Sequence, residues 1–313
     1  MPHDEGIWPA GKRFAFSIFD DPDAQTLEHS RIVYGLLSDL GLFTTKGVWP
    51  AGPLRQVNSP GETCANPAYL THVLELQARG FEVGFHHASP HSSTRTETIA
   101  ALDRFRELFG SDPSSMANHY NEEALYWGAD RVSGLVRLAY RAAQLANSKT
   151  QEQPFQGHCE ASPYFWGDVA RARIRYCRNF CFREINTLRM CPWMPYSDPD
   201  RPYVPLWYTS TDANCCARFI DALSEANQDR LEAEGGASIL YVHFGHAFVE
   251  NGRPHPRFVE LLTRLSRKGG WFVPVTALLD HLARCGAGAP IRSSARARLE
   301  RAWFLEKVRY GTS

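Results

Sequence analysis

Short apolar runs alternate with longer amphipathic segments in the first and last thirds of the chain. The apolar runs predict strands at 13–19, 44–48, 81–86, 237–244 and 271–273. Apolar residues at helical spacing predict helices at 24–40, 95–109, 257–267 and 275–285, and one more that starts near Pro67 and ends before Gly80. Strands that alternate with helices in this way indicate parallel βαβ units.

The pattern changes between about 146 and 205, where Pro, aromatic and Arg residues are frequent, and this stretch predicts an irregular insertion. The segment 293–308 is basic and helical in pattern, and we expect it to pack on the outside of the fold. No repeat or linker divides the chain, and about 250 residues suffice for one barrel. The sequence therefore predicts a single α/β domain over 1–313, built as a distorted (β/α) barrel.

Charge and composition exclude several classes of protein. Lys and Arg together number 34, and so do Asp and Glu, so no overall charge favours nucleic acid or an acidic membrane. No apolar run reaches the roughly 18 residues of a membrane span, and 1–12 lacks the apolar core of a secretion signal. We therefore expect a cytoplasmic protein. Its eight cysteines show no Cys-x-x-Cys spacing, which favours reduced thiols over a Cys-ligated metal.

Polar groups follow the predicted strands, and strand ends are where parallel α/β folds place their active sites. The first strand ends in Asp20-Asp21-Pro22-Asp23. Asp21 could cap the next helix, with Pro22 as the first helical residue. Asp20 and Asp21 would still be adjacent like charges, and a cation between them would relieve their repulsion.

Histidines follow two other strands. His86, His87 and His91 come at the end of the third strand, and neutral imidazoles are good ligands for zinc and similar ions. Because side chains alternate along a strand, His86 should point into the barrel mouth while His87 starts the loop. The late strand ends at His243, with His246 three residues later. A metal site of His and Asp ligands is the interpretation that unites these strand ends.

The same residues resemble the motifs of the polysaccharide deacetylases, the NodB-homology or carbohydrate esterase family 4 enzymes. The resemblance extends from about 14 to 282. Phe19-Asp20-Asp21 is similar to the family's T-F-D-D motif, and 82–86 is similar to the start of its second motif. The apolar run before His243 is similar to the last motif. Stretches such as 44–50 and 270–274 resemble a divergent branch that serves bacterial surface-polysaccharide biosynthesis.

One family motif is not matched. The segment 116–121 stands where the family has Arg-Pro-Pro-Tyr, so the Arg that orients the catalytic Asp is missing or comes from elsewhere. The spacing of the histidines also departs from the family pattern, because His91 is the fifth residue after His86 rather than the fourth. His87 keeps that spacing, so either His86 or His87 could be the first His ligand.

The resemblance implies a role for each group. Asp20 would be the catalytic base and His243 the catalytic acid. The ligands of one divalent metal would be Asp21, His86 and His91. Zinc is the expected ion, with cobalt, nickel or manganese as alternatives. His119 and Trp166 are predicted to contact the substrate, although a helix start near His119 and core packing of Trp166 are alternatives.

The implied activity is hydrolysis of an N-acetyl or related acyl group from a sugar or a sugar-containing metabolite. Two alternatives stay open. The same site could act on another C–N bond, as a deformylase or a cyclic amidase. The chain could also be a non-catalytic carbohydrate-binding protein that keeps the fold, which the altered 116–121 segment would favour.

Overall fold

The computed structural model describes residues 7–146 and 154–313. Its centre is a closed barrel of seven parallel strands, in which each strand pairs with the next and the seventh pairs with the first. The strands are β1 (Phe14–Asp20), β2 (Thr45–Val48), β3 (Glu82–Phe85), β4 (Ser115–Met116), β5 (Tyr176–Phe182), β6 (Leu206–Asp212) and β7 (Ala237–Val242). The predicted (β/α) barrel is confirmed.

Three further strands complete the sheet structure. A small antiparallel hairpin consists of β8 (Val249–Glu250) and β9 (Arg253–Pro254). The last strand, β10 (Gly270–Phe272), pairs with the first three residues of β1. One edge of β1 pairs with β7, and the other is shared between β10 at its start and β2 at Phe19 and Asp20. The mouth of the barrel is therefore framed by β1–β7 alone.

Helices surround the barrel. In chain order they are α1 (Leu27–Asp39), α2 (Pro67–Ala78), α3 (Arg95–Phe109), α4 (Gly134–Ala146), α5 (Gly167–Arg173), α6 (Thr187–Met190), α7 (Cys216–Ala222), α8 (Glu225–Ala233), α9 (Pro256–Ser266), α10 (Val275–Arg284) and α11 (Ser293–Tyr310). A capping box of Thr94 and Glu97 starts α3, and Gly110 ends it with a φ of 85°. Within the described residues, no helix has both the length and the apolarity that crossing a bilayer requires.

Most elements at the two ends of the chain lie within three residues of their predicted bounds. The helix predicted at 293–308 corresponds to α11, which packs against β5 on the outside of the barrel. In the segment predicted as an irregular insertion, positions 147–153 lie outside the described residues, and the remainder contains β5, a full strand of the barrel. Arg178 and Asn179 interrupt the apolar pattern of β5, so a hydrophobic pattern does not reveal this strand.

Alternation along β1 sorts its side chains into two environments. Phe14, Phe16 and Ile18 pack outward against the surrounding helices, whereas Ala15 and Phe19 belong to the other core cluster. The Phe19 ring fills the barrel beside Gly84, where a Cβ would lie 2.8 Å from it. By the same alternation, Asp20 turns outward and Asp21 turns to the barrel mouth.

A candidate metal site at the barrel mouth

Asp20 ends β1 on its outer face. Its Oδ2 accepts bonds from Lys46 Nζ at 2.9 Å, the Tyr34 hydroxyl at 3.1 Å and Gln25 Nε2 at 3.1 Å. Its Oδ1 accepts the backbone N–H of Phe244 at 3.1 Å. Burial raises the pKa of Asp20, and the ammonium group of Lys46 opposes that rise. Both oxygens of Asp20 are thus bonded within the protein, away from the mouth where a catalytic base would act.

Asp21 points into the mouth and is held by an arginine. Its two oxygens accept bonds from Arg178 Nη1 at 2.9 Å and Nη2 at 2.5 Å. Arg178 comes from β5, and its guanidinium carbon lies 4.0 Å from the centre of the Tyr241 ring. Both charged side chains are buried. The sequence left open whether an arginine from elsewhere orients an aspartate, and Arg178 of β5 is bonded to Asp21 in this way.

Asp23 meets His86 and His119 just beyond the end of β1. Asp23 Oδ1 lies 3.0 Å from His119 Nε2, and Oδ2 lies 3.2 Å from His86 Nε2. Ligand atoms bonded at about 2.0–2.1 Å around a tetrahedral zinc ion lie about 3.3 Å apart. The described residues contain two groups that could share a metal ion: Asp23, His86 and His119, and Asp21, Asp23 and His243.

The hydrogen bonds of Asn121 decide which nitrogen of His119 carries a proton. The Asn121 amide nitrogen faces three acceptors, which are the carbonyl oxygens of Ser89 and His91 and Oε1 of Glu123. Asn121 Oδ1 must therefore accept, and His119 Nδ1 donates to it at 2.9 Å. The lone pair on His119 Nε2 then faces Asp23. A carboxylate and a lone pair at this distance repel each other unless a proton or a metal ion lies between them.

The charges of the cluster suit a cation. Burial would lower the pKa of His119, but Asp23 outweighs it and the pKa is raised. Burial would raise the pKa of Asp23, but His119 and His86 hold it well below its ordinary value. Burial lowers the pKa of His86 to about 4, and neither of its nitrogens has a hydrogen-bond partner in the described part of the chain. Burial thus disfavours the charged form of His86, whose Nε2 lies 3.2 Å from the Asp23 carboxylate.

His243 lies at the solvent side of the cluster. Its Nδ1 is 3.1 Å from the carbonyl oxygen of Asn214, so Nδ1 carries the proton that this acceptor requires. Its Nε2 lies 3.7 Å from Asp21 and 3.6 Å from Asp23. The turn after His243 rests on the Asp23 loop, since a Cβ at Gly245 would lie 2.3 Å from the Ala24 carbonyl carbon. Only glycine allows the two loops to approach this closely.

Three residues singled out in the sequence lie away from this cluster. His87 is buried between Glu123 Oε1 at 3.2 Å and Asn118 Oδ1 at 3.2 Å, so His86 is the one that reaches the mouth. His91 belongs to neither group that could share a metal ion, and its Nδ1 lies 2.9 Å from the Ser92 carbonyl oxygen.

Trp166 is fully buried, and its Nε1 donates to the Glu123 carbonyl oxygen at 2.7 Å. It belongs to the core beneath the site, where a substrate could not reach it. His119, which was predicted to contact the substrate, points at Asp23 inside the cluster. Sequence reasoning assigned no role to Asp23 or Arg178, although alternation past β1 could have pointed to Asp23.

No family model and no curated protein sequence matches the chain. Solved structures do. A Mycobacterium smegmatis protein provisionally described as a polysaccharide deacetylase matches 94% of this chain and 98% of its own, with a TM-score of 0.54 and 13% identity. The peptidoglycan deacetylase PdaC of Bacillus subtilis matches 89% and 94%, with a TM-score of 0.40 and 12% identity.

A family 4 acetyl xylan esterase of Clostridium thermocellum, solved with a cobalt ion, matches 88% of this chain and 92% of its own. Its TM-score is 0.40 and its identity 12%. The match to the Mycobacterium smegmatis protein shows that the two chains share a fold, the (β/α) barrel. The resemblance seen in the sequence is confirmed at that level.

Proposed function

We propose that this chain is a metal-dependent hydrolase that removes an N-acetyl or related acyl group from a sugar or a sugar-containing metabolite. The observation that carries the proposal is the convergence of Asp23, His86 and His119. Asp23 and His86 present buried atoms that have no hydrogen-bond partner among the described residues, and His119 Nε2 lies 3.0 Å from Asp23 Oδ1. The sugar substrate is inferred from the fold, which is that of a protein described as a polysaccharide deacetylase.

Asp23, His86 and His119 would hold one divalent ion. Two imidazoles and one carboxylate suit zinc, and cobalt, nickel or manganese could replace it. Such an ion would polarise the acyl carbonyl and lower the pKa of water toward about 7. Asn121 would keep His119 in the tautomer that binds, since it accepts the proton of Nδ1 at 2.9 Å.

Asp21, rather than Asp20, would be the catalytic base. Its oxygens lie at the mouth, 3.7 Å from both His86 and His243, whereas those of Asp20 are bonded beneath α1. Arg178 would orient Asp21 by its two parallel bonds. In this role Asp21 accepts the proton of the attacking water.

His243 would be the catalytic acid. The Asn214 carbonyl oxygen fixes its ring through Nδ1, which directs Nε2 toward Asp21 and Asp23. The Tyr241 hydroxyl lies 3.1 Å from Nε2 and would donate to it while that nitrogen carries no proton. Protonated at Nε2, His243 donates to the leaving nitrogen as the C–N bond breaks. General acid catalysis of this kind contributes roughly 10²- to 10⁴-fold.

The test compares two histidines on different loops, His91 after β3 and His119 after β4. We would compare the wild type, His119→Ala and His91→Ala in two measurements. The first is bound metal per chain by elemental analysis, and the second is acetate release from N-acetylated sugars. We expect one divalent ion in the wild type and in His91→Ala, and none in His119→Ala. Loss of metal in His91→Ala with retention in His119→Ala would overturn the assignment. A metal-loaded wild type that releases no acyl group from any sugar would overturn the activity.

A further inference from the structure

Trp49 is the first residue after β2, and its ring packs against two of the three proposed metal ligands. The ring centre lies 5.3 Å from that of His119, with the two planes at 83°. It lies 5.8 Å from that of His86, with the planes at 50°. The Trp49 side chain is fully buried. Aromatic rings at these separations favour particular angles, so one indole restricts how two imidazoles from different loops can turn.

Hydrogen bonding does not explain why this indole stands beside the ligands. Trp49 Nε1 is buried and has no hydrogen-bond partner among the described residues. Trp166 is equally buried, but its Nε1 donates to the Glu123 carbonyl oxygen at 2.7 Å. A buried donor without an acceptor costs free energy, and most buried polar groups avoid that cost. Packing, rather than a hydrogen bond of its side chain, therefore keeps Trp49 against the two imidazoles.

The chain around Trp49 leaves the ring little freedom to move. The Trp49 carbonyl oxygen accepts the backbone N–H of Cys64 at 2.9 Å, which holds the backbone in place. At Gly61, a Cβ would lie 2.8 Å from Cζ3 of the Trp49 ring and 2.5 Å from the Pro22 carbonyl oxygen. Glycine at this position lets the loop close on the benzo edge of the indole. The ring is therefore fixed from the side of the loop as well.

The segment 50–66, which follows Trp49, is bonded to all three loops that carry the ligands. Three hydrogen bonds join it to the loops after β1, β3 and β4: from the Ala24 N–H to the Pro60 carbonyl oxygen at 2.7 Å, from the Asn58 N–H to the Pro90 carbonyl oxygen at 2.8 Å, and from Asn58 Nδ2 to Asn121 Oδ1 at 2.8 Å. The segment contributes no residue to either group of described residues that could share a metal ion. It therefore supports the cluster from outside, and Trp49 is the side chain at its start that reaches the imidazoles.

We propose that Trp49 is a positioning residue of the metal site. It sets the ring planes of His86 and His119, so that a nitrogen of each meets the Asp23 carboxylate. This inference rests on the function proposed above, because it requires these three residues to hold a metal ion. Residues behind the ligands of a metal orient those ligands, and their loss typically weakens metal binding about 10- to 100-fold. Trp49 does this by the shape of its ring.

Metal binding tests this proposal without any substrate. We would measure the zinc affinity of the full-length protein by competition with a chelator, and the visible absorption spectrum of the cobalt-loaded protein. Trp49→Met and Trp49→Leu replace a flat ring by chains that cannot hold a plane, and each should weaken zinc binding about 10- to 100-fold. Both should also change the cobalt spectrum, because it reports the geometry of the ligands. Trp49→Phe restores a flat ring and should bring both measurements back close to those of the wild type.

Trp166 provides a matched control. It is as buried as Trp49, but its ring lies 6.2 Å from that of His87, which is not a proposed ligand. Trp166→Met and Trp166→Leu should lower the urea midpoint of unfolding, as the Trp49 variants do, because each leaves a cavity in the core. Their zinc affinity and cobalt spectrum should match those of the wild type.

Three results would overturn the inference. Wild-type affinity and spectrum in Trp49→Met or Trp49→Leu would remove the positioning role and leave the proposed function intact. Equal losses of zinc affinity in the Trp49 and Trp166 variants would show that Trp49 acts only through general stability. A wild-type protein that binds neither zinc nor cobalt would overturn this inference together with the proposed function.

Discussion

Two buried ion pairs stand side by side at the end of β1, and their neighbours give them different tasks. The Asp20–Lys46 pair joins register partners of β1 and β2 on the outer face, and both side chains are fully buried. The Asp21–Arg178 pair spans the mouth from β1 to β5, with both side chains 2% exposed. The first pair is enclosed by Tyr34, Gln25 and the backbone of Phe244. The second lies 3.7 Å from two histidines.

Burial and charge do not by themselves identify a catalytic carboxylate. Both pairs are buried, both join strands, and they involve consecutive residues. What separates them is direction, because successive side chains of a strand point to opposite faces. The outer pair anchors the His243 loop through Phe244, and the inner pair faces His86 and His243 at the barrel mouth.

The largest effect is expected from neutralising the inner acid. Asp21→Asn should keep the metal and lose turnover by roughly 10²- to 10⁴-fold, because a general base contributes about that factor. Asp20→Asn should keep most turnover per folded, metal-loaded chain. The measurement is acetate release from an N-acetylated sugar that the wild type hydrolyses, with metal content as the control. Equal activity in the two variants, at equal metal content, would remove the distinction between the pairs.

The next effect separates stability from catalysis. Lys46→Met and Arg178→Met each leave a buried carboxylate without its partner, which typically costs about 3–5 kcal/mol in free energy of unfolding. Removing both charges of a buried pair often changes the free energy of unfolding little. We therefore expect Asp20→Asn with Lys46→Met, and Asp21→Asn with Arg178→Met, to regain much of the lost stability in urea unfolding.

Turnover should follow a different course in the same variants. The double change at the outer pair should restore activity along with stability, whereas the double change at the inner pair should restore stability alone. Recovered activity in Asp21→Asn with Arg178→Met would show that the inner pair is only a structural anchor.

The smallest effect concerns how the free energy of unfolding depends on pH, and it arises at His72 of α2, outside the barrel. Burial lowers the pKa of His72 to about 4, and nearby Arg31 and Lys46 add to the shift. The unfolded chain takes up this proton at a higher pH than the folded chain does. The contribution of neutral His72 to the free energy of unfolding is therefore fully present above about pH 6.5, and it is lost as the pH falls toward about 4. In a plot of the free energy of unfolding against pH, His72→Gln should reduce the slope between about pH 4 and 6.5. A slope equal to that of the wild type would contradict this prediction.

Much of the barrel could be predicted from the sequence. Apolar runs and helical periodicity located β1, β2, β3, β7 and most helices of the two ends, because these elements bury regular stripes of side chains. The strands β4, β5 and β6 were not predicted. The first has two residues, the second contains Arg178 and Asn179, and the third is rich in Ser and Thr, so none shows a clean apolar pattern.

The candidate site could be predicted in part. Alternation directed His86 into the mouth and left His87 to the loop, and the structure places both accordingly. The same rule, applied to β1, would have turned Asp20 outward, but motif resemblance assigned it the base. His119 could not be found this way, because it follows a two-residue strand and its role depends on contacts with Asp23 and Asn121.

The sequence by itself determined the alternating elements, the polar strand ends and the resemblance to a deacetylase barrel. These are local properties, because period, capping and motif spacing are read over neighbouring residues. Only the tertiary structure decided which groups meet. Arg178 is separated from Asp21 by 157 positions and His119 from Asp23 by 96, so closure of the barrel brings each pair together. Pairing at such separations depends on strand order and side-chain direction, which no single segment encodes.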